Sequence, residues 1–325
     1  MAVAYVFPGQ GSQAVGMGKA LAENFPAARA VFEEVDDALG EKLSSIIFGG
    51  PAETLMLTEN TQPALMAVSL ATLRVLEGEA GLDLAREATF VAGHSLGEYS
   101  ALAAAGALTV ADTARLVRIR GRAMQKAVPV GVGAMAALIG LEFGQAAAVA
   151  AEAAQGQVCQ AANDNGAGQV VVSGDKAAVE RAVEIAKGQG AKRAAMLPVS
   201  APFHCALMQP AARVMAEALA NVAVKRPCVP LVANVVAKPV SEPAAIVDGL
   251  IGQVTGTVRW RESVEFMAGA GVRMFYEVGA GKVLTGLVKR IAPGATGVAI
   301  GTPADIATFA AARTQDFPLR ATGTA

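Results

Sequence analysis

The stretch at residues 90–106, FVAGHSLGEYSALAAAG, constrains this chain more than any other. Gly93-His94-Ser95-Leu96-Gly97 matches the pattern G-x-S-x-G. Residues 89–92 read as a buried strand, and residues 96–105 are strong helix formers, so Ser95 falls at a strand-to-helix junction. At such a turn the serine backbone is strained, and the flanking glycines remove side chains that would collide with the neighbouring strand and helix. The following helix N-terminus offers N–H groups to a developing oxyanion. The pattern predicts an activated nucleophile at Ser95.

The surrounding chain alternates strands with helices. Residues 2–7 read as a short buried strand ended by Pro8-Gly9, and residues 18–39 carry helical spacing. Later, residues 208–219 read as helix, 231–235 as strand, and 274–277 as a strand entering Gly279-Ala280-Gly281. This alternation predicts an α/β fold with a mostly parallel sheet. Between residues 133 and 200 the pattern changes. Strand (134–139), helix (142–154), strands (158–162 and 169–173), helix (177–189) and strand (193–199) follow one another in βαββαβ order, predicting an inserted ferredoxin-like subdomain. The expected boundaries are a catalytic core over 1–130 and 201–301, the subdomain over 131–200, and an alanine-rich tail over 302–325 to which no function is assigned.

Length and composition narrow the classes of function. With 325 residues, 53% of them hydrophobic, the chain can bury a large core. A net charge of -1 exerts no global pull toward nucleic acid. No run approaches the roughly 18 apolar residues of a membrane span, and the N-terminus lacks a charged, signal-like segment, so a cytoplasmic protein is expected. Cys159, Cys205 and Cys228 are isolated and support neither a disulfide framework nor a zinc site.

Only two histidines are available as a base. His94 adjoins Ser95, and adjacent side chains of an extended segment point to different sides, which favours a packed, hydrogen-bonded neighbour. His204 lies in Ser200-Ala201-Pro202-Phe203-His204-Cys205, in a loop just after the insertion. Catalytic groups of α/β sheets gather in such loops, so His204 is the expected base. No carboxylate is marked out to orient it, and a backbone carbonyl can hold an imidazole tautomer as an Asp does.

The helix expected over residues 111–127 carries five cations. At about 100° per residue, Arg115, Arg118, Arg122 and Lys126 share one side, while Arg120 falls among Leu116, Val117, Ala123 and Met124. A guanidinium on an apolar face needs a partner: either a buried carboxylate of the protein or the carboxylate of a substrate.

Six stretches in order give a resemblance to a known family: FPGQGSQ (7–13), GHSLGEYSAL (93–102), RGRAMQ around Arg120, NDNGAGQVVVSG (163–174), SAPFH (200–204) and YEVGAGKVLTGL (276–287). The chain resembles the malonyl-CoA:acyl carrier protein transacylases, acyltransferases that load malonyl units for fatty acid synthesis. The resemblance implies a hydrolase-like α/β core with the ferredoxin-like insertion. It implies Ser95 as the acyl-accepting nucleophile and His204 as the base, held by the backbone carbonyl of Gln253. It also implies an oxyanion hole from the N–H groups of Gln10 and Leu96, and Arg120 paired with the malonyl carboxylate. Asn163 is carried over as an amide near the substrate, and Phe203 resembles malonyl-selective members. Two departures stand out: Asn-Asp-Asn-Gly-Ala lacks a proline found in many relatives, and Gly279-Ala280-Gly281 replaces Gly-Pro-Gly. Both alter loop stiffness.

The expected reaction is a ping-pong transfer from malonyl-CoA to the phosphopantetheine thiol of acyl carrier protein. It needs no cofactor or metal, and the protein is expected to be a monomer that binds neither nucleic acid nor membrane. The cationic side formed by Arg115, Arg118, Arg122 and Lys126 is either a solvated face or a docking surface for the acidic carrier. A serine esterase or thioesterase shares the elbow but usually adds an HGGG-type loop and an acid between Ser and His, and neither is clear here. Residues 9–14 also satisfy the dinucleotide pattern G-x-G-x-x-A, but Pro8 follows the strand directly and Glu33 and Glu34 lie in a helical pattern.

Overall fold

The structure is a computed structural model that describes residues 2–199 and 201–316. Ser200 of the SAPFH stretch and the polar end of the expected tail lie outside the described residues. Two sheets organise the chain. The strands are β1 (Ala2–Phe7), β2 (Phe90–Gly93), β3 (Gly133–Ile139), β4 (Cys159–Asp164), β5 (Gln169–Asp175), β6 (Arg193–Met196), β7 (Leu231–Val232), β8 (Pro239–Val240), β9 (Val272–Val278) and β10 (Thr296–Ile300).

The larger sheet has the order β10-β9-β1-β2-β7-β8 and is parallel except for β8 against β7. β1 lies inside it, and its run Ala-Val-Ala-Tyr-Val-Phe is buried from Ala4 onward, as expected of a parallel strand with both faces covered. Tyr5 and Phe7 join the core that contains the helix Thr58–Glu79, while Ala4 and Val6 pack with Trp260, Val264 and Met267. The smaller sheet, β4-β5-β3-β6, is antiparallel throughout. Its helices Phe143–Ala154 and Lys176–Gly188 bury Val149, Ala182 and Val179 against Ala136, Leu138 and Val172 in a core of their own.

The two sheets are fastened beside the cleft. Asp164 donates its main-chain N–H to Val258 O and Val258 donates to Ala162 O, both at 2.9 Å, and Arg261 Nε meets Asp164 Oδ2 at 2.9 Å.

Several expectations need correction. The single helix expected over 18–39 is two, Lys19–Asn24 and Pro26–Leu39, because Phe25 before Pro26 is driven to φ -127° and ψ 116°. The strand expected over 231–235 stops at Val232, where Ala233 and Asn234 turn toward the site. Arg118, expected on the exposed side of its helix, is buried and meets Glu41 and Asn60. Of the other three, Arg122 pairs with Glu59 at 2.8 Å and Arg115 with Asp112 at 3.2 Å. Among the described residues, no helix is long and apolar enough to cross a membrane.

Candidate active site

The end of β2 is pressed between its own helix and the end of β1. A Cβ on Gly93 would lie 1.9 Å from Gly97 O, one on Gly97 2.2 Å from Phe7 O, and one on Gly9 2.5 Å from His94 O. Glycine is required at all three positions because backbone occupies the space. Gly9 therefore serves the elbow. The stretch after β1 does not open a helix, as a dinucleotide fingerprint would require; the first helix begins at Lys19.

Ser95 is held at φ 53° and His204 at φ 58°, both in the left-handed region that L side chains rarely adopt. These strained residues face each other. Ser95 Oγ lies 2.7 Å from His204 Nε2, and His204 Nδ1 lies 2.8 Å from the main-chain oxygen of Gln253. Since a carbonyl can only accept, Nδ1 carries the proton and Nε2 is the free acceptor aimed at Oγ. The pKa of His204 is pushed down to about 3, chiefly by burial and then by the charge of Arg120, so the ring is neutral at neutral pH.

A hydrogen-bonded frame holds this pair. Asn234 Oδ1 accepts the N–H of Ser95 at 2.8 Å, and Asn234 Nδ2 donates to Gly93 O at 2.7 Å. Gln253 Nε2 donates to Ser95 O at 2.9 Å and to Glu98 Oε2 at 2.6 Å. All three of these side chains are fully or almost fully buried. Sequence reading missed Asn234 and Glu98. Glu98 stands inside the matched GHSLGE run, whereas nothing near Asn234 signals its contact with Ser95.

Arg120 closes the other side. Gly121 allows the helix Val110–Ala127 to cross close to the start of Thr58–Glu79, since a Cβ there would come within 2.7 Å of Glu59 Cα and Thr58 O. The crossing places Arg120 Nη1 2.8 Å from Gln62 Oε1. Nη2 reaches Gln253 Oε1 at 2.8 Å and Ser95 Oγ at 3.1 Å, and the guanidinium lies 5.7 Å from the centroid of the Tyr99 ring. Among the described residues, no carboxylate of the protein lies within ion-pairing distance of Arg120.

Ser95, His204, Arg120 and Gln62 line a cleft of about 800 Å³. Gln10 and Leu96 border it beside Ser95, Asn163 and Met135 contribute from the smaller sheet, and Phe203 stands next to His204. His94 is turned away from the Ser95 hydroxyl. Its Nε2 lies 2.9 Å from Asn165 Oδ1 and its ring packs 5.8 Å from Trp260, the packed role expected for it. Beyond Asn165, Ala167 has φ 50°, a conformation that a proline ring could not adopt. Among the described residues, no cluster of His, Cys, Asp and Glu could hold a metal ion.

Residues 4–299 match the family model described as an acyl transferase domain. The chain is 50% identical over 301 residues to the malonyl CoA-acyl carrier protein transacylase of Salmonella typhimurium, covering 93% of this chain and 96% of that one. This chain belongs to the malonyl CoA-acyl carrier protein transacylase family. A transacylase of Bacillus subtilis is 47% identical over 305 residues, covering 94% of this chain and 95% of that protein. Among solved structures, the acyl-carrier-protein S-malonyltransferase of Bartonella henselae superposes with a TM-score of 0.94 at 57% identity, over 98% of this chain and all of that one. A malonyl-transacylase in complex with a type II PKS acyl-carrier protein superposes with a TM-score of 0.92 at 44% identity, over 96% of this chain and all of that one. The transacylase family thus spans both sheets and the whole cleft.

Proposed function

We propose that this chain moves malonyl from malonyl-CoA to the phosphopantetheine thiol of acyl carrier protein through an ester on Ser95. One observation carries the reading: the chain Ser95 Oγ, His204 Nε2, His204 Nδ1, Gln253 O opens onto the same cleft as a guanidinium without a carboxylate partner. His204 takes the Ser95 proton as Oγ attacks the thioester carbon. The N–H groups of Gln10 and Leu96 stabilise the oxyanion, and CoA leaves as its thiol with the proton from His204. In the second half the carrier thiol gives its proton to His204 and attacks the ester, and Ser95 recovers its proton as it leaves. Arg120 binds the free carboxylate of the acyl group, with Asn163 and Phe203 bordering the same chamber. Exchange of one thioester for another is nearly isoenergetic, so water must be kept from the ester. The apolar walls formed by Met124, Met135, Leu197, Phe203 and Leu287 serve that end.

The same reading takes the larger sheet as a hydrolase-like core over 1–130 and 201–301, and 131–200 as a ferredoxin-like unit. The order β4-β5-β3-β6 with two helices supports the latter.

Incubation with malonyl-CoA followed by intact-protein mass measurement tests the proposal. A gain of one malonyl group in the wild type, absent in Ser95→Ala and discharged by holo acyl carrier protein, is the expected result. Free malonate released without an acceptor would instead mark a thioesterase.

A further inference from the structure

Glu98 lies in the first turn of the helix Gly97–Ala104, 1% exposed and three residues after Ser95. Its Oε2 accepts from two neutral donors, Gln253 Nε2 at 2.6 Å and the Asn234 N–H at 3.3 Å. A carboxylate this deeply buried is costly without a specific role or partner. The role is legible in Gln253. The two hydrogens on its Nε2 go to Glu98 Oε2 and Ser95 O, both acceptors, and that orientation turns Oε1 to Arg120 Nη2 at 2.8 Å. The reversed amide would set its oxygen against two acceptors and its NH2 against the guanidinium. Burial raises the pKa of Glu98 to about 7; its ionised form cannot donate and so opposes the reversal.

We propose that Glu98 is a positioning residue for malonyl selectivity, which fixes the Gln253 amide and through it aims the Arg120 guanidinium at the acyl carboxylate. The Glu98 carboxylate reaches Arg120 only through that amide, so among the described residues no carboxylate of the protein competes with a substrate carboxylate for the guanidinium. Gln253 also supplies the main-chain oxygen that holds His204, so one residue links the selectivity side of the cleft to the base. The inference rests on the role proposed above for Arg120.

Glu98→Gln keeps the size and shape of the side chain but allows its amide to donate. The rate of ester formation on Ser95 is measured with malonyl-CoA and with acetyl-CoA, in the wild-type and Arg120→Ala backgrounds. With Arg120 present, Glu98→Gln is expected to raise the malonyl-CoA KM roughly tenfold while acetyl loading stays within about twofold. In the Arg120→Ala background the same change should leave the malonyl-to-acetyl ratio unmoved. Parallel loss with both acyl groups, an unchanged ratio, or an equal fall without Arg120 would overturn the proposal. Should Glu98→Gln not fold, Glu98→Asp, which keeps the charge but withdraws it from Gln253, gives the same reading: a fallen ratio supports the role and an unchanged one removes it. Wild-type enzyme that forms no malonyl ester would instead sink the proposed function itself.

Discussion

Arg120 donates from Nη2 to Ser95 Oγ at 3.1 Å, so the group proposed to choose the substrate touches the proposed nucleophile. A malonyl carboxylate would draw the guanidinium onto itself and release the hydroxyl. An acetyl group offers no such exchange. Arg120→Ala should therefore weaken malonyl loading by about 1.5 to 3 kcal/mol, roughly 10- to 150-fold, and shift preference toward acetyl. Competition between malonyl-CoA and acetyl-CoA, read as the two ester masses on Ser95, measures it; an unchanged ratio would remove Arg120 from selection.

The same cation acts on His204, the proposed base. Among the causes that depress His204, Arg120 ranks second after burial, so neutralising it should raise the pKa of the ring. The expectation is a higher His204 pKa in Arg120→Ala than in the wild type, read by NMR titration of the imidazole. An unchanged or lower pKa would show that Arg120 does not depress the ring.

Stability should carry the mark of His204 as well. Its folded pKa of about 3 lies below the ordinary value of 6.5, so the unfolded chain binds this proton and the folded one does not. Stability from this group is complete above pH 6.5 and falls as pH drops toward 3. At 1.36 kcal/mol per pKa unit, moving from pH 6.5 to pH 5 costs roughly 2 kcal/mol. Denaturant melts at both pH values should show that loss in the wild type and a smaller one in His204→Gln.

Much of this site was legible in the chain. The elbow was visible because a strand, two glycines and a helix follow one another directly within residues 89–105, and Arg120 because 100° steps put it on the apolar side of its helix. The six elements between 133 and 196 were legible because short runs are punctuated by Gly and polar residues. Other features depend on contacts between distant parts of the chain. Asn234 meets Ser95 across 139 residues of sequence, and Gln253 meets Ser95 across 158. The helix Thr58–Glu79 gives no one-sided apolar stripe, because it is buried on nearly every side as far as Leu76. Arg118 was misplaced for a related reason: Glu41, from a loop 77 residues earlier, covers the face that periodicity assigned to solvent.

Asn234 should matter more than its neutral side chain suggests. It satisfies the buried N–H of Ser95 and the carbonyl of Gly93, the two peptide groups that define the strained turn. Asn234→Ala leaves both unpaired, at about 1 to 3 kcal/mol each. The expected result is a folded but less stable protein that forms the malonyl ester more slowly, with an unchanged preference for malonyl over acetyl because Arg120 keeps its partners. Loss of stability without loss of ester formation would mean that the turn holds its shape unaided.

Gly97 tests the packing of the elbow apart from its chemistry. A methyl group there would stand 2.2 Å from Phe7 O, and neither β1 nor the helix can move without shifting Gly9 and His94. Gly97→Ala should lower stability by about 1 to 3 kcal/mol, and ester formation should fall further than stability alone explains, because the Ser95 turn is displaced. Gly144, in the helix Phe143–Ala154, has no atom near its added Cβ, so Gly144→Ala is the control and should stabilise by about 0.5 to 1 kcal/mol. Denaturant midpoints and ester formation, measured on both variants, separate the two outcomes. If Gly97→Ala behaved like the control, the close approach of the β1 end to the Ser95 turn would not be what holds Ser95 in place.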